Sequence, residues 1–107
     1  MSENNLKEVD HFVELVQHIV NKPGMFLVNN IEDLGLIISG YLMGVSHMKG
    51  GEALIDYLSG FRAFVNRHFE STFDYDWERL IRFHSSGDTG SLILFKQLFQ
   101  EYISSSY

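Results

Sequence analysis

The chain has no cysteine and a single proline in 107 residues. Without cysteine there is no disulfide, no thiolate nucleophile and no cysteine-bound zinc. A small disulfide-free chain fits a reducing compartment, so a cytoplasmic location is the expectation. Basic residues are few: 8 lysines and arginines stand against 14 carboxylates, for a net charge of −6. Such a chain is repelled by phosphate backbones and anionic lipid, which argues against binding nucleic acid or a membrane surface. A cationic protein partner is compatible with this charge, as is plain solubility. Long hydrophobic runs are missing too. The longest apolar region, Leu34 to Val45, is well short of the ~20 residues needed to cross a bilayer and reads as a buried core helix. The first residues, MSENNLKEVD, are polar and acidic without a cationic start, so no secretory leader is expected.

What is present is ordinary for a globular protein: 45% apolar and 21% charged residues. A chain of this size buries roughly 65% of the surface that its unfolded form exposes, enough for one core without staples. A single domain over residues 1–107 is expected.

Apolar residues recur at three- and four-residue steps along most of the chain. A first helix is predicted over Asn5 to Asn21, with Leu6, Val9, Phe12, Val13, Val16, Ile19 and Val20 apolar. Pro23 stops it, and Lys22-Pro23-Gly24-Met25 suits a type II turn, with glycine at the position of positive φ. Met25 to Val28 is then expected to fold back onto the core as an apolar plug. A second helix starts at Asn29 or Asn30, either of which can cap, with Asp33 near its positive end. Ile31, Leu34, Ile38, Tyr41, Val45 and Met48 form its apolar row. Gly35, Gly40 and Gly44 cost about 1 kcal/mol each relative to alanine, which the close approach of another helix would offset. Gly50-Gly51 ends that helix.

A third helix is predicted over Glu52 to Phe69, carrying Leu54, Tyr57, Leu58, Phe61, Phe64 and Val65. A shorter fourth spans Asp76 to His84, with Trp77, Leu80, Ile81 and Phe83 apolar. After the loop HSSGDTG, Asp88 is expected to cap a last helix built on Leu92, Phe95, Leu98, Phe99, Tyr102 and Ile103. SSSY reads as a frayed tail. No convincing period-two segment appears. The expected fold is all-α, a compact bundle of about five helices with short loops.

Catalytic chemistry leaves little trace. The chain has five histidines. His11 and His18 share a helix face without the H-E-x-x-H spacing, and His47, His68 and His84 lie near helix ends, where they suit the dipole. No metal site or cofactor is expected. HSSGDTG holds the residue types of a triad, but within one loop, whereas triads assemble from distant segments. G-x-S-x-G is absent. Nor does SSGDTGS have the G-K-[ST] ending of a phosphate loop. No catalytic residue is assigned.

One stretch stands apart: FESTFDYDWE, residues 69–78. Glu70, Asp74, Asp76 and Glu78 alternate with Phe73, Tyr75 and Trp77, with no lysine or arginine among them. Carboxylates give a negative field and aromatics anchor interfaces, so Glu70, Asp74, Tyr75, Asp76 and Glu78 are the candidate partner-binding residues. A structural role is the alternative, with Trp77 and Phe73 in the core and the acids capping the fourth helix.

The pattern KPGMFL (Lys22 to Leu27), followed by a helix containing Gly40-Tyr41, resembles a bacterial one of basic residue, Pro-Gly-Met, aromatic, Leu, then Gly-Tyr. Trp77-x-x-x-Ile81 and LFKQLFQEY also fit. Proteins with this pattern look like the immunity proteins of contact-dependent growth inhibition. Val28 departs from it, since a glycine often follows the leucine. The resemblance implies a cytoplasmic antitoxin that forms a heterodimer with a toxin domain and blocks its active site. The toxin would be a basic nuclease, resembling RNase A or EndoU ribonucleases. It identifies no contact residues. Other expectations stay open: a small helical enzyme or ligand-binding domain using histidines and loop hydroxyls, or a homodimeric scaffold.

Overall fold

The computed structural model describes the backbone of residues 3–106 and the side chains of residues 7–105. Among the described residues the chain forms five α-helices and one short 3-10 turn: α1 (Glu3–Asn21), the turn (Pro23–Phe26), α2 (Ile31–Val45), α3 (Gly51–His68), α4 (Trp77–Phe83) and α5 (Gly87–Ser106). The all-α bundle expected from the periodicity is what forms. Among the described residues no helix is long and apolar enough to cross a membrane.

Each helix buries the stripe that its spacing marks out. Phe12, Val16 and Ile19 of α1 meet Ile31, Leu34 and Ile38 of α2, Leu54, Phe61 and Val65 of α3, Trp77 and Ile81 of α4, and Phe95, Leu98 and Phe99 of α5 in one continuous core. Phe61 is its aromatic centre. Its ring lies 5.5 Å from those of Trp77 and Phe99 and 5.6 Å from that of Phe95, edge-on in each case, the geometry favoured by the ring quadrupoles. Leu6, first of the expected α1 row, lies outside the described side chains.

Long-range polar contacts orient the helices. Tyr41 Oη, late in α2, donates to Glu8 Oε1, early in α1, at 2.9 Å and so ties the two helices together. Burial first, and then this hydrogen bond, push the Tyr41 hydroxyl up to about 12. Ser91, buried in α5, accepts from the first amide of α2, Ile31 N, at 3.1 Å and donates to Asp88 O at 2.7 Å. That link satisfies a donor which the start of α2 cannot bond within itself. At the end of α4, Arg82 donates to both oxygens of Glu32 on α2 and to Asp88 Oδ1 on α5 at 3.0 Å. These contacts gather the start of α2, the end of α4 and the start of α5 at one end of the bundle.

Several local expectations are corrected. Pro23 to Phe26 is a 3-10 turn, not a type II turn: Met25 N donates to Lys22 O at 3.1 Å, and Gly24 does not take a positive φ. The left-handed residue is Leu27, at φ 58°. Its amide donates to Gly24 O and that of Val28 to Pro23 O, the Schellman closure that usually takes glycine. The apolar plug does not form. Val28 alone is buried, while Met25 is 74% and Leu27 84% exposed, because the tight turn directs their side chains outward.

The expected capping at Asn30 is present, and it is reciprocal. Asn30 Oδ1 accepts from Asp33 N, and Asp33 Oδ2 accepts from Asn29 N, both at 2.9 Å. The α2 apolar row is shorter than expected: the helix ends at Val45, and Met48 is exposed beyond it. Gly50, at φ 90°, precedes α3 rather than ending α2. Gly51 is the first residue of α3, where a Cβ would collide with Val45 O. Among the described residues nothing lies within 4 Å of where a Cβ would stand at Gly40 or Gly44. Gly35 is covered, by the Glu78 side chain. Asp88 is not a cap but lies in the first turn of α5, which begins at Gly87. The tail does not fray where expected, since α5 continues through Ser106. Tyr107 lies outside the described residues.

Candidate functional site

The loop from Phe69 to Asp76 and the helix α4 after it build the most featured surface. At its start α3 closes with Glu70 N donating to Arg67 O and Ser71 N to Asn66 O. Glu70 takes the left-handed conformation, φ 52°. Among the described residues, Leu27 and Glu70 are the positive-φ residues other than glycine. Strain of this kind costs on the order of 1 kcal/mol and persists only where the surroundings enforce it.

Here α3 enforces it. Asn66 Nδ2 donates to Tyr75 O at 2.9 Å, and Tyr75 N donates back to Asn66 Oδ1 at 3.1 Å, so the Asn66 amide pairs with the loop backbone as a neighbouring strand would. Arg62 lies one turn earlier on the same face. It donates to Asp74 Oδ1 and Asp74 O, and its third nitrogen lies 3.2 Å from Asp76 Oδ1. Ser71 Oγ donates to Phe73 O inside the loop at 2.6 Å. The backbone is thereby held in one shape, and it presents Phe73, 69% exposed, and Tyr75 to solvent.

Beside this loop lies an open cleft of about 580 Å³. Its lining includes Phe69, Tyr75, Leu80, Phe83 and His84, with Glu70 and Arg79 as the charged members. His84 stacks on Phe69 with ring centroids 4.0 Å apart, and His68 meets the same ring edge-on. Phe83, one of the apolar residues of α4, is 81% exposed at the rim. The Arg79 guanidinium lies over the Tyr75 ring, 5.8 Å from its centroid.

The aromatics of 69–78 are therefore divided. Trp77 is in the core, and Phe73, expected there as the alternative, is on the surface. Nor do the five candidate residues form one uniform acidic patch. Glu70 and Tyr75 line the aromatic cleft. Asp74 and Asp76 are bound to Arg62. Glu78 faces a second, smaller cleft shared with Glu32, Asp76, Arg79 and Arg82. Burial raises the Glu78 carboxyl above its ordinary range, and the Asp76 and Glu32 carboxylates add to the rise. The Arg82 hydrogen bond instead holds Glu32 below its ordinary value. Sequence reasoning passed over Arg62, Asn66, Arg79 and Phe83. Only helix spacing marks Arg62 and Asn66 as neighbours, one turn apart on α3, and nothing in it shows that the loop returns to them.

Elsewhere, His11, His18 and His47 are exposed on α1 and in the turn before α3. Among the described residues no group of three or more histidines, cysteines or carboxylates could hold a metal ion. The hydroxyl of Ser85 serves its turn, donating to Arg82 O at 3.1 Å. Compared with protein-family models, with curated proteins and with solved structures, the chain matches none.

Proposed function

We propose that this protein is a stoichiometric inhibitor, an immunity protein that binds the basic nuclease domain of a toxin in the cytoplasm and covers its active site or substrate path. The observation that carries this reading is the pinned loop beside α4, with Phe73, Tyr75 and Phe83 exposed around an open cleft. Exposed aromatics on a backbone that is already ordered are what tight interfaces use, because little conformational freedom is lost on binding. The net charge of −6 suits a partner evolved to hold phosphates, and steers the encounter. The resemblance of KPGMFL and Gly40-Tyr41 to the immunity-protein pattern points to the same class.

The test is capture of the toxin domain encoded beside this protein, followed by calorimetry at two salt concentrations. A complex of roughly nanomolar affinity or tighter is expected, weaker at high salt. Replacing Phe73 and Phe83 together by alanine should cost at least ~2 kcal/mol of binding, about thirtyfold, with the thermal midpoint little changed. If the wild-type protein captures nothing at low salt, the reading is wrong.

A further inference from the structure

Leu27 stands against the fold twice. Its backbone is left-handed at the position where a Schellman closure usually has glycine, and its side chain is exposed. The leucine is strained there without being buried, and glycine would make the same turn at less cost. Met25 is exposed as well, and Phe26 in part. Yet the turn is firmly built. Pro23 fixes its first φ, Met25 N donates to Lys22 O, and the Leu27 and Val28 amides close onto Gly24 O and Pro23 O. Val28 roots it in the core, and the reciprocal caps of Asn29, Asn30 and Asp33 hold the chain that follows. An apolar tip that costs the free protein stability, yet is held in one shape, has the properties of a preordered anchor.

The setting of the tip selects its occupant. Residues 23–31 carry no charge, in a chain of net charge −6, so their complement is an uncharged, apolar surface. The side chains of Met25, Phe26 and Leu27 expose on the order of 300 Å², the size of patch that marks interaction sites. A stable complex buries ~800 Å² on each partner, so two copies that met through this turn alone would fall well short. Anionic lipid suits it no better, because Glu32 and Asp33 follow directly and the whole chain is acidic. We infer that the turn Pro23–Phe26 and Leu27 after it form an anchor that seats Leu27 and Met25 in an apolar pocket of the protein partner, as a contact additional to the Phe73 and Phe83 face. This rests on the inhibitor reading above and adds what the toxin domain must present, one uncharged apolar pocket.

The test uses the full chain and the toxin domain encoded beside it. Leu27→Gly removes the side chain and relieves the backbone, so stability and binding should part company. The urea midpoint should stay in place or rise, while calorimetry shows the toxin domain bound about tenfold more weakly. The methyl signals of Met25 and Leu27, broadened by a soluble gadolinium chelate in the free protein, should be shielded in the complex. A lower midpoint for Leu27→Gly overturns the inference, because the leucine then serves the fold. So do methyls that stay accessible in the complex. Flotation of the wild type, but not Leu27→Gly, with vesicles of phosphatidylcholine and phosphatidylglycerol overturns it in favour of a membrane. Sedimentation of the wild type, but not the variant, as a dimer overturns it in favour of a second copy. Undiminished toxin binding by Leu27→Gly overturns the anchor and leaves the inhibitor standing. A wild type that captures no toxin removes both.

Discussion

A methyl group added at Gly60 would collide with the hydroxyl of Tyr102, which donates to Tyr57 O at 2.7 Å and helps to fasten α5 to α3. A methyl group at Gly40 or Gly44 meets nothing within 4 Å. Alanine improves helix propensity by about 1 kcal/mol at any of these positions, so their surroundings decide the sign. Gly40→Ala and Gly44→Ala should each stabilise the fold by roughly 0.5–1 kcal/mol. Gly60→Ala should destabilise it by about 1–2 kcal/mol, because displacing a hydrogen-bonded, half-enclosed hydroxyl outweighs the propensity gain. Urea midpoints of the three variants check this; a stabilised Gly60→Ala would show that Tyr102 yields freely. The sequence marks all three as glycines within helices and cannot rank them, since the atoms that tell them apart come from a residue some forty positions away.

At the scale of elements, the loop between α3 and α4 depends on Asn66. Its side chain replaces the missing backbone partner of Tyr75 and also donates to Arg62 O at 2.9 Å. Asn66→Ala should cost about 1–2 kcal/mol and raise the hydrogen-exchange rate at Tyr75 more than at Phe61 or Phe95. Equal change at all three amides would mean that the loop is held by something else. The helices themselves were legible, because an amphipathic stripe is a local pattern repeated many times. Their ends were less so. Asp88 looked like a cap and instead pairs with Arg82, and the glycine of KPGMFL drew the left-handed conformation to Gly24 when Leu27 carries it. Turn type depends on where the next helix must start, which short motifs do not encode.

The whole molecule should respond to pH at both ends of the scale. Tyr41 holds its proton more tightly folded than unfolded. Its contribution is therefore whole below pH 10 and is lost as pH rises towards about 12. Glu32 behaves oppositely. Its carboxyl is lowered by Arg82, so its contribution is whole above pH 4.5 and is lost as pH falls through the lowered value. Glu78 works against that rise: raised by burial, it favours the fold most below pH 4.5 and less as pH climbs through its folded value. Denaturation across the pH range tests this by difference. Tyr41→Phe should cost about 1 kcal/mol near neutrality and converge with the wild type above pH 11 or so. Glu78→Gln should gain on the wild type as pH rises from 4 to 7 or so. Parallel curves for a variant and the wild type would remove that residue's part in the profile.

By itself the sequence determined the class of fold, the stripes that become the core, an asparagine cap at position 29 or 30 and the overall negative charge. Each of these follows from local periodicity or from composition. Only the tertiary structure decided which aromatics face water, which glycines are crowded and which carboxylates have partners. The pattern left Phe73 open between core and surface and marked Phe83 only as apolar; both are on the surface. Asp74 and Asp76 looked unopposed until Arg62, twelve and fourteen positions earlier, proved to be their counter-charge. The physical reason is the same throughout: exposure and pairing are properties of the space between segments, and that space exists only once the helices have packed.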